Sequence, residues 1–259
     1  MDDKDNKDKF YEDLIMDIYK SNYQKYGIPR ITIELNKRLL NQGLSKINHK
    51  KVERLMIKLG IQARPKQRKY VSYKGTVGRI APNLLDRDFS TEYPYQKIGT
   101  DVTVFIMPFG KLYLSPIIDF HTREVLAYDL SESPDFRQIK RMFEQLVDKH
   151  GINVSGAILH SDQGWQYQME KYRLKLAELK ITQSMSRKGN CLDNSPTENF
   201  FGRMKEEMFY GKEKLYSDMN QLKRAINEYI EYYNYIRIVN RLGMSPVEYR
   251  LTNYGLIYD

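Results

Sequence analysis

A single cysteine, Cys191, occurs in the 259 residues. That excludes a disulfide framework within the chain and a Cys-rich zinc site, and it suits a reducing compartment. Long apolar stretches are missing as well. No run approaches the roughly 18 residues of a membrane span, and the polar start Met1-Asp2-Asp3-Lys4 lacks a signal peptide's apolar core. The expectation is a soluble cytoplasmic protein with no membrane partner. Internal repeats are absent, and so are low-complexity tracts beyond the charged first nine residues. The composition that remains, 41% hydrophobic and 29% charged, is too apolar for a disordered chain and long enough for one or two domains with a core.

Acidic residues are scarce in one place. Residues 46–79 hold eleven Lys and Arg side chains against one acid, Glu53, and carry +10. The whole chain is +9, so everything else is net −1. Charge gathered in one segment is the footprint of a polyanion partner, with a solvated linker as the alternative.

Three helical patterns precede residue 60. Phe10–Tyr23 is amphipathic through Leu14, Ile15 and Ile18. Pro29 suits a first helical turn leading to Ile31, Leu35 and Leu39, and Gly43 ends that helix. Asn48 can cap a third, whose apolar stripe is Val52, Leu55, Met56 and Leu59, with Lys51, Arg54 and Lys58 on the opposite face. Two helices joined by a short turn, the second basic on its outer face, read as helix-turn-helix. Residues 61–96 read as a basic linker and irregular lead-in. Strand patterns follow at Ile98–Met107, Leu112–Asp119, Arg123–Leu130, Ala157–His160 and Ile181–Met185. Helical patterns fall at Asp135–Lys149, Tyr167–Leu179, Asn194–Tyr210 and Ser217–Arg237, which gives a mixed α/β sheet flanked by helices. In the last of these, Tyr229, Tyr232 and Tyr233 read as a packed face.

Three acids stand out. Asp101 lies in the first strand, Asp162 where the fourth strand ends, and Glu198 in the first turn of a late helix. If the first and fourth strands are neighbours, Asp101 and Asp162 converge, and the late helix can bring Glu198 over the same edge. Clustered carboxylates repel, so they either protonate or hold cations. Oxygen ligands suit Mg²⁺ or Mn²⁺, and two such ions can serve phosphoryl transfer. Taken singly, each acid also fits a structural role. Ser195-Pro196-Thr197-Glu198 matches a capping box, and Asp119 is a competing strand acid read as structural. Trp165 reads as a packing anchor or a stacking platform.

Taken together, Arg30-Ile31-Thr32-Ile33-Glu34-Leu35, Thr100-Asp101-Val102-Thr103 and His160-Ser161-Asp162-Gln163-Gly164-Trp165-Gln166-Tyr167 add a further signal. So do Ser184-Met185-Ser186-Arg187-Lys188-Gly189-Asn190-Cys191, Asp193-Asn194-Ser195-Pro196, Glu198-Asn199-Phe200-Phe201 and Ser245-Pro246-Val247-Glu248-Tyr249. Over nearly its whole length the chain resembles OrfB-type transposases of bacterial insertion sequences, in the insertion-sequence-three family with a retroviral-integrase-like core. The 35 residues between Asp162 and Glu198 match the spacing of that family's Asp-Asp-Glu motif.

The resemblance implies a ribonuclease-H-like fold with a mixed five-stranded sheet. It implies two Mg²⁺ or Mn²⁺ ions on Asp101, Asp162 and Glu198, and no zinc. The implied chemistry is cleavage of one strand at an element end by water, then attack of the freed 3′-hydroxyl on another phosphodiester. Lys205 matches the family's basic residue on terminal DNA. Lys51, Arg54, Lys58, Arg64, Lys66, Arg68, Lys69, Arg187 and Lys188 complete the expected DNA contacts. Implied partners are element-end and target DNA, further copies of the chain on that DNA, and an upstream reading-frame product or fusion, with the protein at the nucleoid. The expected division is a helix-turn-helix-like region at 1–60, linker at 61–96, catalytic core at 97–212 and helical extension at 213–259. Competing readings are a non-catalytic DNA-binding regulator derived from a transposase, and a ribonuclease-H-type nuclease without strand transfer.

Overall fold

The structure, a computed structural model, describes residues 2–61, 78–133, 135–187 and 191–255. Arg64, Lys66, Arg68, Lys69 and Lys188 lie outside the described residues. The chain divides into two compact units, residues 1–68 with 236–245, and residues 69–235 with 246–259. Among the described residues, no helix is long and apolar enough to cross a membrane.

The first unit holds α1 (Asp2–Ser21), α2 (Ile28–Asn41) and α3 (His49–Lys58). Ile31, Leu35 and Leu39 recur at spacing four and so share one face of α2. They are buried with Ile15 and Ile18 of α1 and Val52, Leu55 and Met56 of α3. Each such side chain contributes about 1.5–3 kcal/mol by leaving water. Gly43, at φ +72°, ends α2 in the left-handed conformation that a side chain disfavours. The turn before α3 is held by the Asn36 amide, which donates to the Ile47 carbonyl (2.9 Å) and accepts its N–H (2.8 Å). Asn48 then caps α3 by accepting from the Lys51 N–H (2.9 Å). Ile238, from the segment 236–245, joins this cluster, its N–H donating to the Tyr26 hydroxyl (2.7 Å).

In the second unit, β1 (Lys97–Thr100) and β2 (Thr103–Met107) pair antiparallel with β3 (Gly110–Asp119) in one continuous register. The expected strand Ile98–Met107 is therefore interrupted at Asp101–Val102, which makes six strands rather than five among the described residues. β4 (Val125–Ser131) lies along the other side of β3, because Ile117 pairs with both Thr100 and Ala127. β5 (Ile158–Ser161) runs parallel to β1, and β6 (Thr182–Met185) parallel to β5.

One face of the sheet is covered by α4 (Phe136–His150), which Asp135 caps. Ile139, Met142, Phe143 and Leu146 pack there with Ile98, Ile117, Leu159, Tyr167 and Tyr172. The expected helix 167–179 is two, α5 (Trp165–Gln168) and α6 (Glu170–Glu178), because Met169 between them is extended. Gly99 alternates with Ile98 along β1 and so faces the opposite side. There α7 (Ser195–Met204) sits, and it continues as a π turn over Lys205–Phe209. Phe200 of α7 meets Tyr233 of α8 (Met219–Tyr235) edge-on at 4.9 Å. Tyr229, Tyr232 and Tyr233 are buried, as their spacing predicts. The Asn234 amide pairs with both the N–H and the carbonyl of Val125 (2.9 Å each). Arg250 of α9 (Pro246–Tyr254) grips Glu124 with both side chains buried (2.7 Å).

Candidate active site

The interruption of the first strand falls at its acid. Asp101 Oδ1 accepts the N–H of Val102 (2.7 Å), and the register with β3 sets Asp101 opposite Pro116, which has no N–H to donate across the ladder. The parallel register of β1 and β5 then does the positioning. Lys97, Ile98 and Gly99 stand opposite Ile158, Leu159 and His160. Carried forward two residues, the same register sets Asp101 opposite Asp162, on strands that lie about 4.8 Å apart. Asp162 is fixed in turn, its Oδ1 accepting from the Gly164 N–H (2.8 Å). A Cβ on residue 164 would come within 2.9 Å of that oxygen, so a side chain there would push against the Asp162 carboxylate.

Glu198 arrives from the other face. A Cβ at Gly99 would meet the Phe120 ring at 2.4 Å and Thr197 Oγ1 at 2.7 Å, so the bare backbone lets the first turn of α7 lie close on β1. The capping box does not form, because the cap position falls on Asn194 and Ser195 is already helical. Glu198 is exposed, yet its charge acts on Asp101. Burial, then the charge of Asp162, then that of Glu198 raise Asp101 well above the usual carboxylate range, against the pull of the Val102 N–H and Lys205. Burial raises Asp162 as well, opposed by its bond from Gly164. Among the described residues, no three His, Cys, Asp or Glu side chains are grouped as a metal cage requires.

Lys205 is not on an open surface. It is 7% exposed, its Nζ donates to the Val104 carbonyl (2.8 Å) and sits 5.1 Å over the Phe105 ring, and burial lowers its pKa to about 8. The π turn beginning at Lys205 places it inside, beside Asp101. Arg187 is tied to Asp193 through Nε (2.8 Å), Nη2 (3.0 Å) and its own N–H (3.1 Å). Asp193, 1% exposed, also accepts from Arg87 Nε (2.9 Å) and Asn83 Nδ2 (3.2 Å). Hydrogen bonds from Arg187 and Arg87 hold it well below the usual carboxylate range. Asp86 and Arg87 both adopt left-handed backbone to make this contact, a strain of order 1–3 kcal/mol. Sequence reasoning gave Asp193 and Arg87 no role, since nothing local marks a salt bridge spanning a hundred residues.

The three basic side chains of α3 lie along α1. Lys51 and Arg54 pair with Asp8 (3.1 and 2.6 Å), and Lys58 with Glu12 (2.7 Å). Trp165 is 44% exposed, so it is no packing anchor. Asp119 is structural: fully buried, it accepts from the N–H groups of Tyr95, His121 and Thr122 and from the Thr122 hydroxyl.

Two family models, each described as an integrase core domain, match residues 92–191 and 198–253, and an HTH-like domain model matches 5–69. An uncharacterized transposase-like protein of Haemophilus influenzae is 54% identical over 79% of this chain and 94% of its own length. The putative transposase InsK for insertion sequence element IS150 of Escherichia coli K12 is 47% identical over 93% of this chain and 82% of its own. A chain from a simian T-cell lymphotropic virus intasome structure shares the fold, with a TM-score of 0.52 at 14% identity, covering 73% of this chain and 63% of that one. The chain belongs to the insertion-sequence transposases of the insertion-sequence-three family, DNA transposases with an integrase-type core behind a helix-turn-helix-like domain.

Proposed function

We propose that Asp101, Asp162 and Glu198 are the catalytic, metal-ligating residues of this transposase. The observation that carries the reading is the β1–β5 register, which, carried forward two residues, aligns two half-buried acids at neighbouring strand ends. Carboxylates pushed towards protonation by burial and, at Asp101, by the charges of Asp162 and Glu198 are a donor set that a divalent cation relieves, and hard oxygen ligands fit Mg²⁺ or Mn²⁺. Two ions held there would activate an attacking oxygen and stabilise a leaving one. Asp101 and Asp162 form the fixed half of the set, and Glu198 is the member presented by α7. Lys205 supplies a buried positive charge beside Asp101.

The reaction is two in-line displacements at phosphorus. In the first, the oxygen of water bonds to phosphorus, the bond to the 3′-oxygen at the element end breaks, and that oxygen leaves as a hydroxyl. In the second, the freed 3′-hydroxyl bonds to a target phosphorus, and a target 3′-oxygen leaves with the proton. One site serves both, since only the nucleophile differs. Lys51, Arg54, Lys58, Arg64, Lys66, Arg68, Lys69, Arg187 and Lys188 are the proposed DNA contacts. The proposed assembly is several copies on DNA at the nucleoid, with end recognition aided by an upstream reading-frame product or fusion.

Incubating the full chain, element-end duplex and a target plasmid with Mg²⁺ or Mn²⁺ tests this. Covalent joining of the cleaved 3′ end to the plasmid supports it. Cleaved ends that are never joined indicate a nuclease, and binding without nicking indicates a regulator.

A further inference from the structure

Behind the two strand-end acids, on the core side of the sheet, three hydroxyls are buried without a hydrogen-bond partner: Thr100 Oγ1, Tyr167 OH and Tyr172 OH. All three residues are fully buried, and the two tyrosine rings meet edge-on at 5.3 Å. Thr100 closes β1 immediately before Asp101, and Tyr167 stands on α5, whose chain leads directly from Asp162. Tyr167 OH lies beside Thr100 Oγ1 outside hydrogen-bond geometry. Tyr167 and Tyr172 share a core cluster with Ile98 and Val102, either side of Asp101, and with Leu159 on the strand that leads to Asp162. Tyr172 feels Asp162 alone of the pair.

A buried hydroxyl without a partner is destabilising, and phenylalanine would fill the same space without that penalty. A carboxylate that turns to hold a cation with one oxygen can offer the other to a donor behind it. We propose that Tyr167 is a positioning residue: its hydroxyl, with Thr100 Oγ1 beside it, donates to the Asp101–Asp162 pair in its cation-holding state and fixes its orientation. This rests on the metal-site reading above. Donors behind ligating groups commonly set metal affinity without touching the ion.

The test is titration of the full chain with Mn²⁺, followed by calorimetry, alongside thermal unfolding without metal. Tyr167→Phe is expected to bind Mn²⁺ about 10–100-fold more weakly while its unfolding midpoint holds or rises. Thr100→Val, near-isosteric, shifts affinity in the same direction. Asp162→Asn abolishes binding. If Asp162→Asn loses Mn²⁺ and Tyr167→Phe stays within about twofold of the parent, the positioning role is overturned and the metal site stands. Mn²⁺ affinity that survives Asp162→Asn overturns the site itself. A Tyr167→Phe protein whose midpoint falls has lost a structural bond, and that also overturns the role.

Discussion

Gly99 on β1 and Thr197 on α7 approach so closely that a Cβ on the glycine would lie 2.7 Å from the threonine hydroxyl. That contact sets how near the helix bearing Glu198 comes to the strand bearing Asp101. Gly99→Ala adds one methyl group to a filled space, also 2.4 Å from the Phe120 ring, and overpacking of this kind costs about 1–3 kcal/mol. The expected outcome is a modest drop in unfolding midpoint with a disproportionate loss of DNA nicking. Thermal unfolding and a nicking assay on the same preparation check it, and equal nicking at a lowered midpoint would detach this contact from the site.

Much of this arrangement is legible in the sequence, and the gaps have physical causes. Apolar spacing locates α2, α3, α4 and α8, because each buries one face in its own unit's core. The split of the first strand was not legible, since alternation runs unbroken through Asp101 and the break depends on its standing opposite Pro116 of β3, which has no N–H to donate. Nor was the fate of the basic residues. Lys51, Arg54 and Lys58 fall on the face opposite the apolar stripe, but periodicity within α3 does not show that α1 lies alongside with Asp8 and Glu12.

Those pairs set a second prediction. Asp8→Asn with Glu12→Gln removes the carboxylates paired with these three cations, so affinity for duplex DNA rises at low salt. The log–log salt dependence should steepen by roughly 0.9 for each phosphate newly neutralised. Binding isotherms across a salt series measure it. A fall in affinity would mean instead that α1 holds α3 in its binding geometry.

Neutralising Lys66, Arg68 and Lys69 together should flatten that same salt dependence, again by roughly 0.9 per lost phosphate contact. An unchanged slope would remove the linker from the DNA interface.

Asp193 sets a prediction in pH. Its carboxyl is held below the usual range when folded, so the stability it contributes is present above the unfolded carboxylate pKa and is lost as pH falls through the folded one. Hydrogen bonds from charged groups to one buried carboxylate contribute about 1.5–3 kcal/mol each, and the half-exposed arginines put this case at the low end. Asp193→Asn should be less stable at neutral pH, with the difference closing under strongly acid conditions. Unfolding midpoints across that range check it; a constant difference would assign the loss to packing.

The most direct measurement is nicking of element-end DNA by Asp162→Asn in Mg²⁺ or Mn²⁺, with DNA affinity measured in parallel. The substitution keeps shape and Oδ1, which accepts from Gly164, and removes the charge opposite Asp101. Loss of nicking with DNA affinity essentially retained is the predicted result. Nicking equal to the parent protein would contradict the carboxylate site.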